Sequence, residues 1–142
     1  MESHDMYPKE FKFSYGYAIS MRPYFELKDG KITGHLPFPT FEPLNQPTEE
    51  QWIKFWKTMD EIDIWNWKEH YEPIDNDFLD GIQWEIKIVR DNRKIESRGS
   101  NAHPALNADG VSIKLTPTFK KFFKAFQELT GVDVLKESKK GF

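Results

Sequence analysis

One pattern occurs twice in this chain of 142 residues: a tight turn between two strand-like runs and then, after a loop, a capped amphipathic helix. The first copy turns at Asp29-Gly30 and begins its helix at Thr48. The second copy turns at Asp91-Asn92 and begins its helix at Thr116. Because each copy presents one apolar strand face and one apolar helix stripe, the two copies can bury these surfaces in one core. The repeat therefore constrains the architecture without assuming any activity.

The alternation of side chains around both turns predicts the register of two antiparallel hairpins. If Asp29-Gly30 forms a two-residue turn, Leu27 lies opposite Ile32, and Asp-Gly is a favoured pair for a type I′ turn. In the second hairpin one face is apolar and the other pairs opposite charges, as expected of a correct register. The other predicted pairs are Glu26 with Thr33, Phe25 with Gly34, Ile88 with Ile95, Lys87 with Glu96 and Glu85 with Arg98.

A further strand is predicted near the N-terminus, and prolines indicate where it ends. Aromatic and apolar residues from Phe11 to Ile19 alternate with small or polar ones, which is typical of a strand with one buried face. Pro23 interrupts this run, and the prolines between Leu36 and Pro47 favour an extended connector. Residues 63–81 are expected to form a loop with short helical pieces, residues 99–110 a second loop, and residues 111–115 a short strand.

The two helices are predicted from their caps and from the spacing of their apolar residues. Thr48 followed by Gln51 is a capping box, and Thr116 followed by Pro117 is a cap with proline at the first helical position. Gly131 is a natural stop for the second helix. Both apolar stripes have the spacing i, i+3, i+4, i+7 and i+10: they comprise Trp52, Phe55, Trp56, Met59 and Ile62, and Phe119, Phe122, Phe123, Phe126 and Leu129.

These elements predict an α+β fold of the ββαββα type, a two-layer sandwich in which two amphipathic helices cover one face of a mainly antiparallel sheet. The length suits one domain over residues 1–142, with a polar segment at 1–10 and a frayed tail at 136–142. Aromatic residues make up 15% of the chain, so a modest hydrophobic content can still build a stable interior.

Composition excludes several classes of function. The chain has no cysteine, which rules out disulfides, thiol catalysis and thiolate metal sites. No apolar run approaches the roughly 18 residues of a transmembrane helix, and residues 1–10 lack the apolar core of a signal peptide. We therefore expect a cytoplasmic location and no membrane partner. The histidines share no metal-ligand spacing, the aspartates between 75 and 80 do not fit an EF-hand, and no phosphate-binding glycine loop occurs, so neither a metal nor a cofactor is expected.

The charge is unevenly distributed, although a net charge of -3 makes nucleic acid an unlikely partner. Residues 60–80 contain 8 acids and 1 base, whereas residues 112–142 contain 7 bases and 3 acids. Acidic clusters steer association with basic surfaces, and exposed Trp and Tyr anchor interfaces. The sequence thus predicts a binding surface for a basic protein, formed by Asp60, Glu61, Asp63, Trp65, Trp67, Glu69, Tyr71 and Glu72. In the alternative interpretation the rings close the edge of the core and the acids only keep a loop soluble.

The segment from Ser97 to Pro104 is dense in hydrogen-bonding groups and follows a predicted strand. In a catalytic interpretation His103 is a general base, Ser97 is a nucleophile and Asn101 is an oxyanion donor, which suits a small hydrolase. In a structural interpretation Gly99 turns the chain, Asn101 bonds to the backbone and Pro104 stiffens the loop. The sequence places no carboxylate to orient the imidazole.

The same region carries a resemblance to a family. Trp84-Glu85-Ile86-Lys87-Ile88, a hairpin, and then Ser97-x-Gly99-x-Asn101-Ala102-His103-Pro104 resembles a pattern in small uncharacterised bacterial proteins. In that family an aromatic residue usually stands at the position of His103, and a helix follows. The resemblance covers roughly the C-terminal half. It implies the hairpin and helix, and it implies no particular activity.

The sequence favours a non-catalytic protein-binding domain, for which a bacterial immunity protein that covers a basic nuclease toxin is one concrete version. The alternative is a small hydrolase that uses the segment of Ser97 and His103. A sandwich that binds a small ligand between sheet and helices is a third possibility, but the phenylalanine-rich second helix indicates that this space is filled.

Overall fold

The computed structural model describes residues 7–16, 23–35, 46–71, 82–100, 103–104, 111–112, 116–134 and 136. In these ranges the chain forms eight strands, two α-helices and one 3₁₀ turn. The strands are β1 (Glu10–Gly16), β2 (Tyr24–Lys28), β3 (Lys31–His35), β4 (His70–Tyr71), β5 (Gln83–Arg90), β6 (Arg93–Ser100), β7 (His103–Pro104) and β8 (Val111–Ser112). The helices are α1 (Glu49–Glu61) and α2 (Pro117–Thr130), and the 3₁₀ turn spans Ile64–Asn66.

Six strands form one sheet in the order β3-β2-β1-β5-β6-β4. The pairing of β1 with β5 joins the two hairpins and runs from Glu10 opposite Val89 to Gly16 opposite Gln83. All neighbours are antiparallel except β4, which pairs in parallel with β6. The predicted α+β fold with a mainly antiparallel sheet is confirmed.

Both hairpin registers are confirmed. Leu27 lies opposite Ile32 in the first hairpin, and Ile88 lies opposite Ile95 in the second. The first turn places Asp29 at a φ of 53° and Gly30 at a φ of 78°, as a type I′ turn requires of both central residues. The other predicted pairs are also present: Glu26 with Thr33, Phe25 with Gly34, Lys87 with Glu96 and Glu85 with Arg98.

The opposite charges predicted to face each other on the outer face of the second hairpin do so, but the closest ion pairs there form with other neighbours. Lys87 pairs with Glu10 of β1 at 3.0 Å rather than with Glu96 opposite it. Glu96 pairs instead with Lys94 on its own strand, also at 3.0 Å. Long side chains on a solvated face reach several neighbours at similar separations, so the register alone does not select the partner.

The caps of both helices form as predicted. Thr48 and Gln51 make a complete capping box at the start of α1. At the start of α2 the hydroxyl group of Thr116 accepts a hydrogen bond from the amide of Phe119, and Pro117 occupies the first helical position. Gly131 ends α2 in the left-handed conformation, with a φ of 84°.

The two helices pack on the same face of the sheet, where aromatic rings fill the space between the layers. Phe11 of β1 contacts both helices, since its ring lies 5.9 Å from Phe55 of α1 and 6.0 Å from Phe126 of α2. Phe13 lies 4.7 Å from Phe122 in an edge-to-face arrangement. Such pairs stabilise a core beyond the area they bury. The predicted two-layer sandwich is confirmed.

Two short strands, β4 and β7, depart from the sequence-based expectation, whereas β8 lies where a short strand was predicted. The expected loop from 63 to 81 contains the 3₁₀ turn, but it also contains β4, which was not predicted. The expected loop from 99 to 110 begins as the end of β6, and His103–Pro104 pairs with Val111–Ser112. Two-residue strands carry too few side chains to show a period, and β4 pairs with β6 rather than with β5, the next strand in sequence.

Some predictions fall outside the described residues. These are the distal part of the first strand (residues 17–19), most of the proline-rich connector, residues 72–81 with their acids, and residues 113–115. The predicted frayed tail also lies outside the described residues, except for Lys136. At the other end of the chain, Glu10 of the predicted polar segment belongs to β1. Neither α1 nor α2 combines the length and the apolar character needed to cross a bilayer.

Candidate functional site

Three exposed acids of the predicted binding surface, Asp60, Glu61 and Asp63, lie where α1 ends, and Glu69 follows just before β4 and lines the outer face of the sheet. We name Asp60, Glu61, Asp63 and Glu69, together with Trp65, the acidic corner. The chain leaves α1 through Asp63, which adopts the left-handed conformation with a φ of 55°, and then enters the 3₁₀ turn. The amide group of Asn66 donates to the carboxylate of Asp63 at 2.8 Å. This local bond favours the left-handed conformation, which aspartate tolerates better than most residues.

Trp65 is the aromatic residue of the acidic corner that stays partly exposed. Its Nε1 donates to Oδ1 of Asp60 at 2.9 Å, and the same oxygen accepts from Nη1 of Arg93 at 3.0 Å. The guanidinium group of Arg93 also lies over the Trp65 ring, 5.7 Å from its centroid. The ring of Trp56 lies 6.2 Å away on the core side. Trp65 is therefore held by contacts on several sides.

Trp67 and Tyr71 do not lie on this surface, which corrects the prediction that they are exposed anchors. The exposed fraction is 5% for Trp67 and 0% for Tyr71. Nε1 of Trp67 donates to the carbonyl of Ile62, and the hydroxyl group of Tyr71 accepts from the amide of Lys68. The 3₁₀ turn and the parallel pairing of β4 direct both rings inward. For these two residues the alternative interpretation, that the rings close the core edge, describes the geometry.

Arg93 contacts the acidic corner, and the sequence did not indicate this contact. It follows the turn of the β5–β6 hairpin and reaches Asp60 across 33 positions of the sequence. Arg90, on the other side of that turn, lies over the buried ring of Trp56 at 4.6 Å. Local sequence carries no signal for such a contact, because it depends on how the hairpin docks on α1. The corner is thus less negative than the count of acids suggests, and Glu72 lies outside the described residues.

The residues of the catalytic alternative have structural contacts. The hydroxyl group of Ser97 donates to the carbonyl of Lys68 at 2.6 Å, which attaches the segment before β4 to β6. Nε2 of His103 lies 3.0 Å from the hydroxyl group of Tyr15. Both side chains are buried, with exposed fractions of 2% and 1%. Asn101 lies outside the described residues.

His103 lies among aromatic rings rather than beside a cleft. Its ring is 5.2 Å from Phe119 of α2, nearly perpendicular to it, and 5.8 Å from Tyr15 of β1. The next strand residue, Pro104, receives a hydrogen bond from the Thr116 hydroxyl group through its carbonyl. Among the described residues, the hydrogen bonds of Ser97 and His103 do not provide the nucleophile–base contact that a hydrolase needs. The arrangement ties β7 to the core and to the start of α2.

In the part of the chain that the structure describes, two crevices that do not include His103 in their lining exceed 300 Å³. One of about 360 Å³ opens on the outer face of the sheet, and charged side chains dominate its lining: Lys12, Glu69, Glu85, Lys87, Glu96 and Arg98. The other, about 320 Å³, lies beside the first hairpin turn and is mostly apolar.

On the outer face of the sheet, neighbouring groups shift the pKa values of Tyr24, Lys87 and Glu96. Burial raises the pKa of Tyr24 to about 12, helped by its hydrogen bond to Glu26 and by the negative charges of Glu26 and Glu85. The hydrogen bond from Lys87 to Glu10 raises the pKa of that lysine, and the hydrogen bond from Lys94 lowers the pKa of Glu96. These shifts mark ion pairs and a phenol–carboxylate contact on a solvated sheet face.

Within the ranges that the structure describes, no group of three or more His, Asp or Glu side chains is placed to hold a metal ion. Comparison with protein-family models, with curated proteins and with solved structures finds no match for this chain. The resemblance to small bacterial proteins therefore stays a prediction, and function has to be inferred from the described residues.

Proposed function

We propose that this chain is a non-catalytic protein-binding domain whose acidic corner binds a basic protein. The observation that carries the proposal is the fixed, partly exposed ring of Trp65, held by Asp60 and Arg93. Rigid aromatic residues surrounded by polar groups are typical centres of binding energy at protein interfaces. An anchor that is already ordered loses little conformational entropy when a partner binds.

Three exposed carboxylates support the same proposal. Glu61, Asp63 and Glu69 lie between the last turn of α1 and the start of β4, and none of them forms a salt bridge within the described residues. Such groups raise the rate of encounter with a positively charged surface and favour it over an acidic one. Asp60 has a different role, since its carboxylate positions Trp65.

In the immunity-protein version of this proposal, the partner is a basic nuclease toxin. A cytoplasmic location belongs to the same proposal and is supported by the lack of cysteine. Among the described residues the hydrogen bonds of the hydrolase alternative are structural, because the Ser97 hydroxyl group bonds to the Lys68 carbonyl and the His103 imidazole to the Tyr15 hydroxyl group.

Carbodiimide cross-linking in an extract of the native host tests the proposal, because this reagent joins carboxylates directly to lysines in contact with them. We expect one partner with a high isoelectric point, joined through Glu61, Asp63 or Glu69. Trp65→Ala should lose the cross-link. A variant with Glu61→Gln, Asp63→Asn and Glu69→Gln has no carboxylate at these positions for the reagent, so it is tested by co-purification without cross-linking and should lose the partner. Asn is chosen at position 63 because it tolerates a positive φ.

A matched control removes the same number of charges elsewhere on the surface: Glu49→Gln, Glu50→Gln and Glu128→Gln. This control should keep the partner. If the partner is retained by the corner variant, or if it is acidic, the proposal is wrong. The immunity version also requires that co-expression with the toxin restores growth, and that Trp65→Ala abolishes this protection.

A further inference from the structure

The outer edge of β3, at the opposite end of the sheet from the acidic corner, has unusual backbone chemistry. β3 is the last strand of the sheet on this side among the described residues. The side-chain amide of Gln46 occupies its edge: Oε1 accepts from the amide of Ile32 at 2.9 Å, and Nε2 donates to the carbonyl of Ile32 at 3.0 Å. These are the two bonds that a residue of a neighbouring antiparallel strand would make.

Gly34 offers the next position of the same ladder. Outward and inward backbone groups alternate along an antiparallel strand, so Ile32 and Gly34 both direct their N–H and C=O groups away from β2. Gln46 bonds to Ile32, and no described residue pairs with the outer side of Gly34. Within the described residues, Gln46 is thus the group that an added strand would have to replace at this edge.

An apolar crevice lies beside this edge and can take side chains of an added strand. It has a volume of about 320 Å³ and is lined mainly by Tyr7, Leu27, Ile32, Pro47 and Trp52. Tyr7 is one of two large hydrophobic residues that stay exposed within the described ranges, with an exposed fraction of 43%. Peptides that extend a sheet gain affinity from backbone hydrogen bonds and specificity from pockets that hold alternate side chains.

The positive charges of Lys28 and Lys31 indicate which side chains an added strand would carry on the face away from the crevice. Lys28 and Lys31 lie directly opposite each other at the end of the hairpin, both are exposed, and no salt bridge within the described residues neutralises either one. Like charges in this position destabilise a hairpin. An acidic side chain of an added strand would relieve this repulsion, whereas a second copy of β3 would bring further lysines to the site.

We propose that the β3 edge binds an extended peptide in which apolar and acidic residues alternate, and that the peptide backbone replaces the Gln46 amide. The apolar residues enter the crevice and the acidic residues face Lys28 and Lys31. This site is independent of the acidic corner, so either proposal can fail without the other.

The test uses a fluorescent peptide of alternating valine and glutamate, with binding followed by fluorescence anisotropy. We expect Gln46→Ala to bind it about tenfold more tightly than the unmodified chain, because the peptide no longer displaces two hydrogen bonds. Gln127→Ala, which removes an exposed glutamine of α2, is the matched control and should leave the affinity unchanged. A peptide with lysine in place of glutamate should bind several-fold more weakly.

Two further measurements separate strand addition from other contacts. A peptide N-methylated on alternate amides cannot form the ladder and should not bind. Gly34→Pro in the Gln46→Ala background should abolish binding, since proline is tolerated at a sheet edge but has no N–H group. If Gly34→Pro does not fold, hydrogen exchange of Gln46→Ala replaces it: the peptide should slow exchange at the amides of Ile32 and Gly34.

Several outcomes would overturn the proposal. These are no saturable binding by Gln46→Ala, equal binding of the N-methylated peptide, and unchanged exchange at Ile32 and Gly34 in the presence of peptide. Dimerisation of Gln46→Ala without peptide would show that a second copy of the chain is the occupant instead.

Discussion

The hydroxyl group of Tyr15 and the Nε2 atom of His103 lie 3.0 Å apart inside the core, although 88 positions separate the two residues in sequence. This hydrogen bond links β1, at the centre of the sheet, to the short strand β7 that precedes α2. A buried polar pair of this kind stabilises the fold when both partners are present, and it is expensive to break from one side.

We expect Tyr15→Phe and His103→Phe to show strong coupling in a double-mutant cycle. Each single substitution removes one partner of a buried hydrogen bond and should lower the free energy of unfolding by about 1–3 kcal/mol. The double variant should lose less than the sum, with a coupling of about 0.5–3 kcal/mol measured by urea denaturation. Additive losses would show that the contact contributes nothing of its own.

The two helix caps offer a matched comparison of an exposed and a buried threonine. Thr48→Ala removes a solvent-exposed capping box and should lower the free energy of unfolding by about 1 kcal/mol. Thr116→Ala should lower it by about 2 kcal/mol or more, because Thr116 is buried and also donates to the carbonyl of Pro104 at 2.6 Å. Chemical denaturation of both variants gives the comparison, and equal losses would contradict this account of the Thr116 contacts.

Gly30 provides a direct test of backbone strain in the first hairpin. A methyl group at this position would meet no heavy atom within 4 Å, but the φ of 78° is unfavourable for a residue with a Cβ atom. Gly30→Ala should therefore lower the free energy of unfolding by about 1–2 kcal/mol through the backbone alone. Gly30→Asn should lower it less, because asparagine visits the left-handed region more readily. If both variants are as stable as the unmodified chain, the turn has relaxed to another type.

The raised pKa of Tyr24 predicts that the folded state loses stability at alkaline pH. Burial, Glu26 and Glu85 raise its pKa in the folded chain to about 12, from an ordinary value of 10.0. Between these two values the folded state keeps the phenolic proton that the unfolded state releases. The contribution of Tyr24 is therefore fully present below pH 10 and falls as the pH rises toward 12.

This direction of the pH effect is checked by measuring the free energy of unfolding as a function of pH in the unmodified chain and in Tyr24→Phe. The stability curve of Tyr24→Phe should fall less steeply across that alkaline range. Ultraviolet absorbance of tyrosinate, compared between the two proteins, should assign the late-ionising phenol to position 24. A difference spectrum that titrates at the ordinary value for tyrosine would contradict the assignment.

The elements that could be predicted from sequence are those with local determinants. The Asp29-Gly30 turn, the pairing of Leu27 with Ile32 and the capping box of Thr48 depend on residues a few positions apart, and all of them form. The apolar stripes of both helices were also readable, because a helical period repeats over several turns. These features define the fold class.

The features that could not be predicted depend on contacts between distant segments. The pairing of β1 with β5 and the parallel docking of β4 have no short-range signal. For the same reason the sequence did not distinguish Trp65, which stays partly exposed, from Trp67, which is buried. The sequence does not show which of two tryptophans in one short segment is buried, because the 3₁₀ turn determines the directions of their side chains.

The position of β1 in the sheet has a consequence for how the chain folds. β1 is the first of the described strands in sequence, yet one of its two neighbours is β5, about seventy residues later. During synthesis, one side of β1 stays unpaired until the ribosome has released the second hairpin. Contacts of such long range slow folding, and nascent chains that expose an aromatic strand are prone to aggregation. We therefore expect that fragments ending before β5 need a chaperone to stay in solution.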